Sequence, residues 1–170
     1  MERFLMQNTM NQVTRALIED DLIRHEGYVQ RIYLDHLGYR TFGIGHLVTK
    51  NDPEWTWPTD TPVDKVRIEQ AFKKDLDDAI LDTEQMFPDL YSHPENVVRV
   101  LVNMMFNLGY PKFKKFKKMR AAVEAKDYTK ASEEMKDSLW YTQVGRRSKE
   151  LCRLMEWAVA DVPQGETKEG

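Results

Sequence analysis

Between Glu95 and Leu108 the chain carries Val97, Val98, Val100, Leu101, Val102, Met104, Met105, Phe106 and Leu108 with few interruptions. A helix apolar on nearly every side has no face to give to water, so it must run through the middle of a helical core. Gly109 and Pro111 are expected to end it. Arg99, Asn103 and Asn107 break the run, which is too short to cross a bilayer. A chain of 170 residues suits one domain, or two small lobes sharing a long helix.

The rest of the chain is arranged around that helix. Thr9 to His25 reads as a helix with an apolar stripe of Val13, Ala16, Leu17, Ile18, Leu22 and Ile23, and with Glu19, Asp20 and Asp21 on its wet side. Gly27 is a natural stop. From Arg31 to His46 the pattern changes. Ile32, Tyr33 and Leu34, then Thr41, Phe42 and Ile44, flank the turn-like His36-Leu37-Gly38-Tyr39, which predicts a small β-hairpin or sheet. Gly43 and Gly45 imply a bend or a close backbone approach there. Asn51 to Pro62 is a loop whose Trp55 and Trp57 are expected to anchor it on the core, with exposed sugar-stacking rings as the alternative. Val63 to Glu84 reads as a long helix able to join two lobes. Three further helices are expected near Phe113–Ala125, Thr129–Ser138 and Gly145–Val159, and Asp161–Gly170 reads as a frayed tail. The expected architecture is α+β: residues 1–12 an extension, 13–62 an α+β lobe, 63–84 an inter-lobe helix, 85–160 a helical lobe and 161–170 a tail. The cleft between such lobes is a usual binding place.

Charge is unevenly spread. Residues 1–91 hold 10 basic and 17 acidic side chains, a net −7, whereas residues 92–160 hold 14 and 8, a net +6. A basic face on an acidic protein suits an extended anionic partner, and cell wall and nucleic acid both qualify. Lys112, Lys114, Lys115, Lys117, Lys118 and Arg120 are interleaved with Phe113 and Phe116. This run reads first as a solvated helix face with Phe anchors, next as a wall-polymer contact, and last as a nucleic-acid site. The single cysteine, Cys152, is expected to be a core residue. The N-terminal stretch does not read as a signal peptide. His25, His36 and His93 lack metal-ligand spacing, so neither metal nor cofactor is expected.

Glycoside hydrolysis needs two carboxyl groups at the scissile bond, one protonated and one ionised. Burial at a helix end favours the protonated state, and a strand end beside a polar turn favours the ionised one. Glu26 closes the first helix and Asp35 ends the strand Ile32-Tyr33-Leu34-Asp35. Thr41, on the returning strand, has a hydroxyl able to orient water. With 28 acidic residues in the chain, spacing alone does not select this pair.

His25-Glu26-Gly27, Tyr33-Leu34-Asp35 and Thr41-Phe42-Gly43-Ile44-Gly45-His46 together resemble the Glu–Asp–Thr catalytic segment of phage-type lysozymes, the muramidase endolysins related to the T-even phage enzyme. Phe72-Lys73-Lys74-Asp75 is similar to part of that family's inter-lobe helix, and Asn103 to Gly109 to its buried central helix. Trp140-Tyr141 and Gln143 to Arg147 resemble its closing segment. The likeness spans residues 13 to 159. Residues 1–12, the loop Asn51–Pro62 and the basic run near Lys114 depart from the family.

The resemblance implies a lysozyme-like fold and hydrolysis of the β-1,4 bond between N-acetylmuramic acid and N-acetylglucosamine in peptidoglycan. Glu26 would be the general acid, and Asp35 with Thr41 would place water for an inverting attack. A retaining enzyme would instead use Asp35 as nucleophile. Leu47 and Phe106 match positions lining the sugar cleft. Arg147, with Arg146 as competitor, matches the basic residue that pairs with the acid. His46 is expected to be structural, paired with Asp75. The implied partner is bacterial peptidoglycan, met by a monomer without a membrane span. Synthesis would be in the host cytoplasm and release through a holin, with a virion-borne form left open. No nucleic acid is expected. Two rivals are a lytic transglycosylase, which needs only Glu26, and a non-catalytic wall-binding protein on the same fold.

Overall fold

The computed structural model describes residues 9–160. The first eight residues of the expected extension and the expected tail 161–170 lie outside the described residues. The chain divides into two compact units. One comprises Glu19–Ala79, and the other the residues up to Ile18 and from Ile80 onward. The described residues hold eight α-helices and one three-stranded antiparallel sheet, ordered β1-β2-β3. This is the expected α+β, lysozyme-like class.

Helix α1 (Gln12–Glu26) begins where Asn11 Oδ1 accepts the Val13 amide at 2.7 Å, an N-cap contact. Its buried side chains are Thr14, Ile18, Asp21 and Leu22, while Val13 is 66% and Ile23 39% exposed. The expected stripe is therefore rotated. Asp21 is inside, ion-paired to Arg24 at 3.5 Å, not on the wet side. The helix supplies residues to both units.

In the Glu19–Ala79 unit, β1 (Val29–Leu34), β2 (Arg40–Gly43) and β3 (His46–Leu47) form the sheet. The register Val29↔Gly43, then Tyr33↔Thr41 and Leu34↔Arg40, leaves an irregularity in mid-β1. There the other edge of β1 is taken up by the segment before helix α2. The Ile32 amide donates to the Thr61 carbonyl and Val63 to Gln30, both at 2.9 Å. Helix α2 (Lys65–Met86) starts two residues later and ends two later than expected. Its Ile68, Ala71, Phe72, Leu76 and Ala79, at helical spacing, are buried, as are Leu22, Ile32, Phe42, Ile44 and Val63 of the same unit.

In the other unit, α3 (Glu95–Leu108) has the bounds of the expected central helix, and Val97, Val98, Val100 to Met105 are buried, including the polar Asn103. Gly109, at φ 79°, ends it, and its amide bonds the Met105 carbonyl at 2.8 Å. Pro111 starts a short helix α4 (Tyr110–Phe113) instead of stopping one, because a proline in the first turn gives up no needed amide. The expected helix Phe113–Ala125 is thus split, with α5 (Lys117–Glu124) following the break. Helix α6 (Tyr128–Lys136) is capped by Asp127. Helix α7 (Leu139–Val144), capped by Ser138, is an additional element. Gly145 at φ 60° separates it from α8 (Arg146–Ala160), which packs on α3 and α6. Cys152 is 1% exposed, and burial pushes its thiol up to about 11. Among the described residues no helix is long and apolar enough to cross a membrane.

Candidate active site

Glu26 is the last residue of α1 because Gly27 adopts φ 83° and its amide closes back on the Ile23 carbonyl at 2.9 Å. The half-buried Glu26 therefore sits at a helix terminus, with two residues between it and the start of β1. Asp35 follows β1 directly and organises the next turn. Its Oδ1 accepts the amides of Leu37 and Tyr39, each at 2.9 Å, and Gly38 at φ 87° lets the chain reverse. The carboxylate is fixed by backbone, and Oδ2 lies outside that pair of bonds.

The sheet register puts three further groups on one face. Tyr33 is directly opposite Thr41, and Thr41 is directly opposite Leu47. Directly paired residues project to the same side of a sheet. Thr41 is 5% exposed and its Oγ1 donates to the Tyr39 carbonyl at 3.0 Å, which leaves the hydroxyl lone pairs as acceptors. Leu47 is 48% exposed beside it. Tyr33 joins the set together. Burial pushes its phenol up, and the negative charges of Glu26 and of Asp35 both push it further, against the opposing pull of Arg31. Tyr33 thus senses both negative charges from the strand paired with Thr41.

Gly45 packs against the acid. A Cβ built there would stand 2.5 Å from Glu26 Oε1 and 2.8 Å from its Cδ, and the glycine holds φ 66°. The close backbone approach expected of this glycine is made to the candidate catalytic side chain itself. Gly45→Ala should therefore displace the Glu26 carboxylate and strain the backbone. We expect turnover to fall about a hundredfold, as for a misplacement near 1 Å, with only a modest drop in Tm. Parent-like kcat in a folded Gly45→Ala protein would contradict this packing.

The opposite sheet face is held by charge. His46 Nδ1 meets Asp75 Oδ2 at 2.7 Å, the pairing expected from the sequence, and Nε2 meets Asp52 Oδ2 at 2.9 Å. Asp52 Oδ1 accepts from Arg67 at 3.1 Å, and Arg67 grips the buried Glu54 with two bonds of 2.8 and 2.9 Å. Burial works against a charged His46 ring, but the bonds and charges of Asp75 and Asp52 outweigh it and raise its pKa. Burial pushes Asp52 up, yet the Thr49 amide and His46 more than reverse this, and Arg67 holds Glu54 low. The signs fix the pH response. The His46 contribution is complete below about pH 6.5, its unfolded value, and is lost as pH rises through the raised folded value. The Asp52 and Glu54 contributions are complete above about pH 4.5 and are lost as pH falls through their lowered folded values. Stability should peak between these limits, and His46→Asn should flatten the alkaline decline in Tm between pH 6 and 9. An unchanged decline in that variant would remove His46 as its source.

Phe106 is half-buried near the end of α3. Arg147 is buried, and its Nε donates to Asn103 Oδ1 at 2.8 Å. Trp55 corrects the expectation of a core anchor. It is 46% exposed, with the Arg40 guanidinium 5.1 Å from its ring centroid, and Arg40 Nη1 bonds the Trp57 carbonyl at 2.8 Å. The loop is anchored by Glu54 instead. Two contributors carry no signal in the sequence: Tyr33, one of seven tyrosines with nothing to single it out, and the Asp52–Arg67–Glu54 cluster, whose members share no periodic spacing.

Residues 23–155 match the phage lysozyme family. The chain belongs to that family. Its coarse functional class is therefore that of lysozyme-type cell-wall hydrolases. Among its relatives, probable T4-type lysozyme 2 of Dictyostelium discoideum is 28% identical over 158 residues, covering 82% of this chain and 93% of that protein. Probable T4-type lysozyme 1 of the same organism is 27% identical over the same shares. The pre-baseplate central spike protein Gp5 of Enterobacteria phage T4 is 31% identical over 152 residues, which are 79% of this chain and 26% of the spike protein. As a family member, the chain has the Glu26–Asp35–Thr41 set wholly inside the matched span.

Proposed function

We propose that this chain hydrolyses the β-1,4 bond between N-acetylmuramic acid and N-acetylglucosamine of bacterial peptidoglycan, with Glu26, Asp35 and Thr41 as catalytic residues. The observation that carries the reading is the hairpin geometry: Glu26 packs against Gly45 just past the strand that holds Thr41, and Asp35 is fixed by two backbone amides at the end of the strand paired with it. Glu26 donates its proton to the departing glycosidic oxygen. Asp35, oriented by the Leu37 and Tyr39 amides, takes a proton from water, and the Thr41 lone pairs hold that water. Water enters opposite the leaving group, which inverts the anomeric centre. Leu47 is a proposed glycan contact on the Glu19–Ala79 unit, and Phe106 and Arg147 are proposed contacts on the other.

The proposed biological setting is host-cell lysis. A chain made in the host cytoplasm and passed through a holin would open the wall from within. Similarity to a segment of the phage T4 spike protein makes a virion-borne role the second setting. Mass spectrometry of digests of purified peptidoglycan tests the chemistry. Hydrolysis yields reducing muramic ends that contain one added water, released first as the inverted anomer. Anhydro-muramic ends would establish a lytic transglycosylase instead, and intact glycan would establish a binding protein.

A further inference from the structure

The basic run around Lys112–Arg120 has no part in the chemistry above, yet the structure gives it a definite form. A shallow groove of about 520 Å³ on the helical unit is rimmed by Lys112, Lys115, Lys117 and Lys118. All four lysines are exposed, and among the described residues none is engaged in an ion pair. The groove's one acid, Glu134, is already paired with Lys130 at 3.3 Å, so it does not offset the rim. The groove is thus a concentration of uncompensated positive charge.

The floor differs from the rim. Phe116, Met119 and Trp140 line it, and Leu139 stands at its edge 77% exposed. Trp140 is fixed by its indole N–H donating to Asn107 Oδ1 at 2.8 Å, and the Phe116 ring meets it edge-on at 6.3 Å between centroids. A rigid aromatic floor beside a large exposed leucine has no use for a purely hydrophilic polyanion, which would leave that surface wet. Lysines around aromatic and aliphatic side chains instead match an anionic amphiphile at a membrane interface, with phosphate on the rim and the first methylenes of an acyl chain on the floor.

We infer that this groove docks the helical unit on an anionic phospholipid surface. Such docking would hold the protein at the membrane face without a spanning segment. The test is sedimentation of the full chain with vesicles of phosphatidylglycerol or of phosphatidylcholine at about 0.1 M salt, where surface charges are screened beyond roughly 10 Å. These vesicles hold no peptidoglycan, so the outcome is independent of the catalytic reading. Binding is expected to the anionic vesicles alone. Lys115→Gln with Lys118→Gln should weaken it roughly 25-fold, as for two lysines near a charged surface. Leu139→Ser, at a site too exposed to matter for folding, should weaken it several-fold with charge unchanged. Equal binding to both vesicle types would overturn the proposal. So would a Leu139→Ser protein that binds like the parent, or displacement from the vesicles by equimolar polyphosphate or acidic peptide, since these would identify a simple polyanion site.

Discussion

Glu26→Gln should lower turnover on purified peptidoglycan by at least about a hundredfold, and by as much as 10⁴-fold, the range supplied by a positioned general acid. The amide has nearly the shape of the acid, so it can keep the half-buried packing against Gly45. What it lacks is a proton that can be handed to a leaving sugar oxygen. Without that transfer the bond must break to an alkoxide, a far poorer leaving group than the protonated sugar hydroxyl. The melting temperature should stay close to the parent's, since the amide keeps the shape of the acid and much of its hydrogen-bonding capacity. Rates are read as reducing ends released, and folding as the thermal melt of the same sample. A folded Glu26→Gln protein that still releases reducing ends at the parent rate would remove Glu26 from the chemistry, and with it the role proposed for Asp35.

The candidate site was readable from the sequence to the extent that its pieces are punctuated. Gly27 ends α1 at Glu26, and Gly38 turns the hairpin after Asp35. The returning strand then places Thr41 opposite Tyr33 by simple pairing. The central helix was readable to its ends because residues apolar on all sides admit only one environment, and Gly109 marks the stop. Amphipathic α1 was less readable. Counting acids as outward hid the fact that Asp21 and Thr14 are buried while Val13 and Ile23 face water. Helix α7 has only six residues, fewer than two turns, so periodicity cannot signal it, although its Ser138 cap and Gly145 stop are both present. Charge partners were the least readable. The His46–Asp75 pair is the one expected from the sequence, whereas Glu54 and Arg67 come from a loop and a helix joined by nothing periodic.

That loop-to-helix clamp carries the largest expected change in stability. Glu54 is 1% exposed and takes two hydrogen bonds from Arg67, whose guanidinium also reaches Asp52 and lies 5.5 Å from the centre of the Phe42 ring. Arg67→Ala deletes every one of these contacts and strands a carboxylate in the interior. The expected loss is about 3–5 kcal/mol, the usual cost of removing one partner from a buried pair. Arg67→Lys should recover only part of it, because an ammonium cannot match both carboxylate oxygens from one plane. Removing Glu54 as well should return some of the loss, since the double variant has no stranded charge. Denaturant titration of Arg67→Ala, Glu54→Ala and the pair would measure this directly. A single-variant loss below about 1 kcal/mol would mean the pair behaves like a solvated surface bridge. The clamp also bears on the chemistry. Phe42, against which Arg67 rests, is the residue after Thr41 on β2, and its ring contacts His46 at 4.8 Å. Loosening Arg67 frees the strand that presents the Thr41 hydroxyl. Arg67→Ala should therefore lose activity at temperatures well below its melt, while Lys74→Ala, which removes only an exposed helix pair, should not.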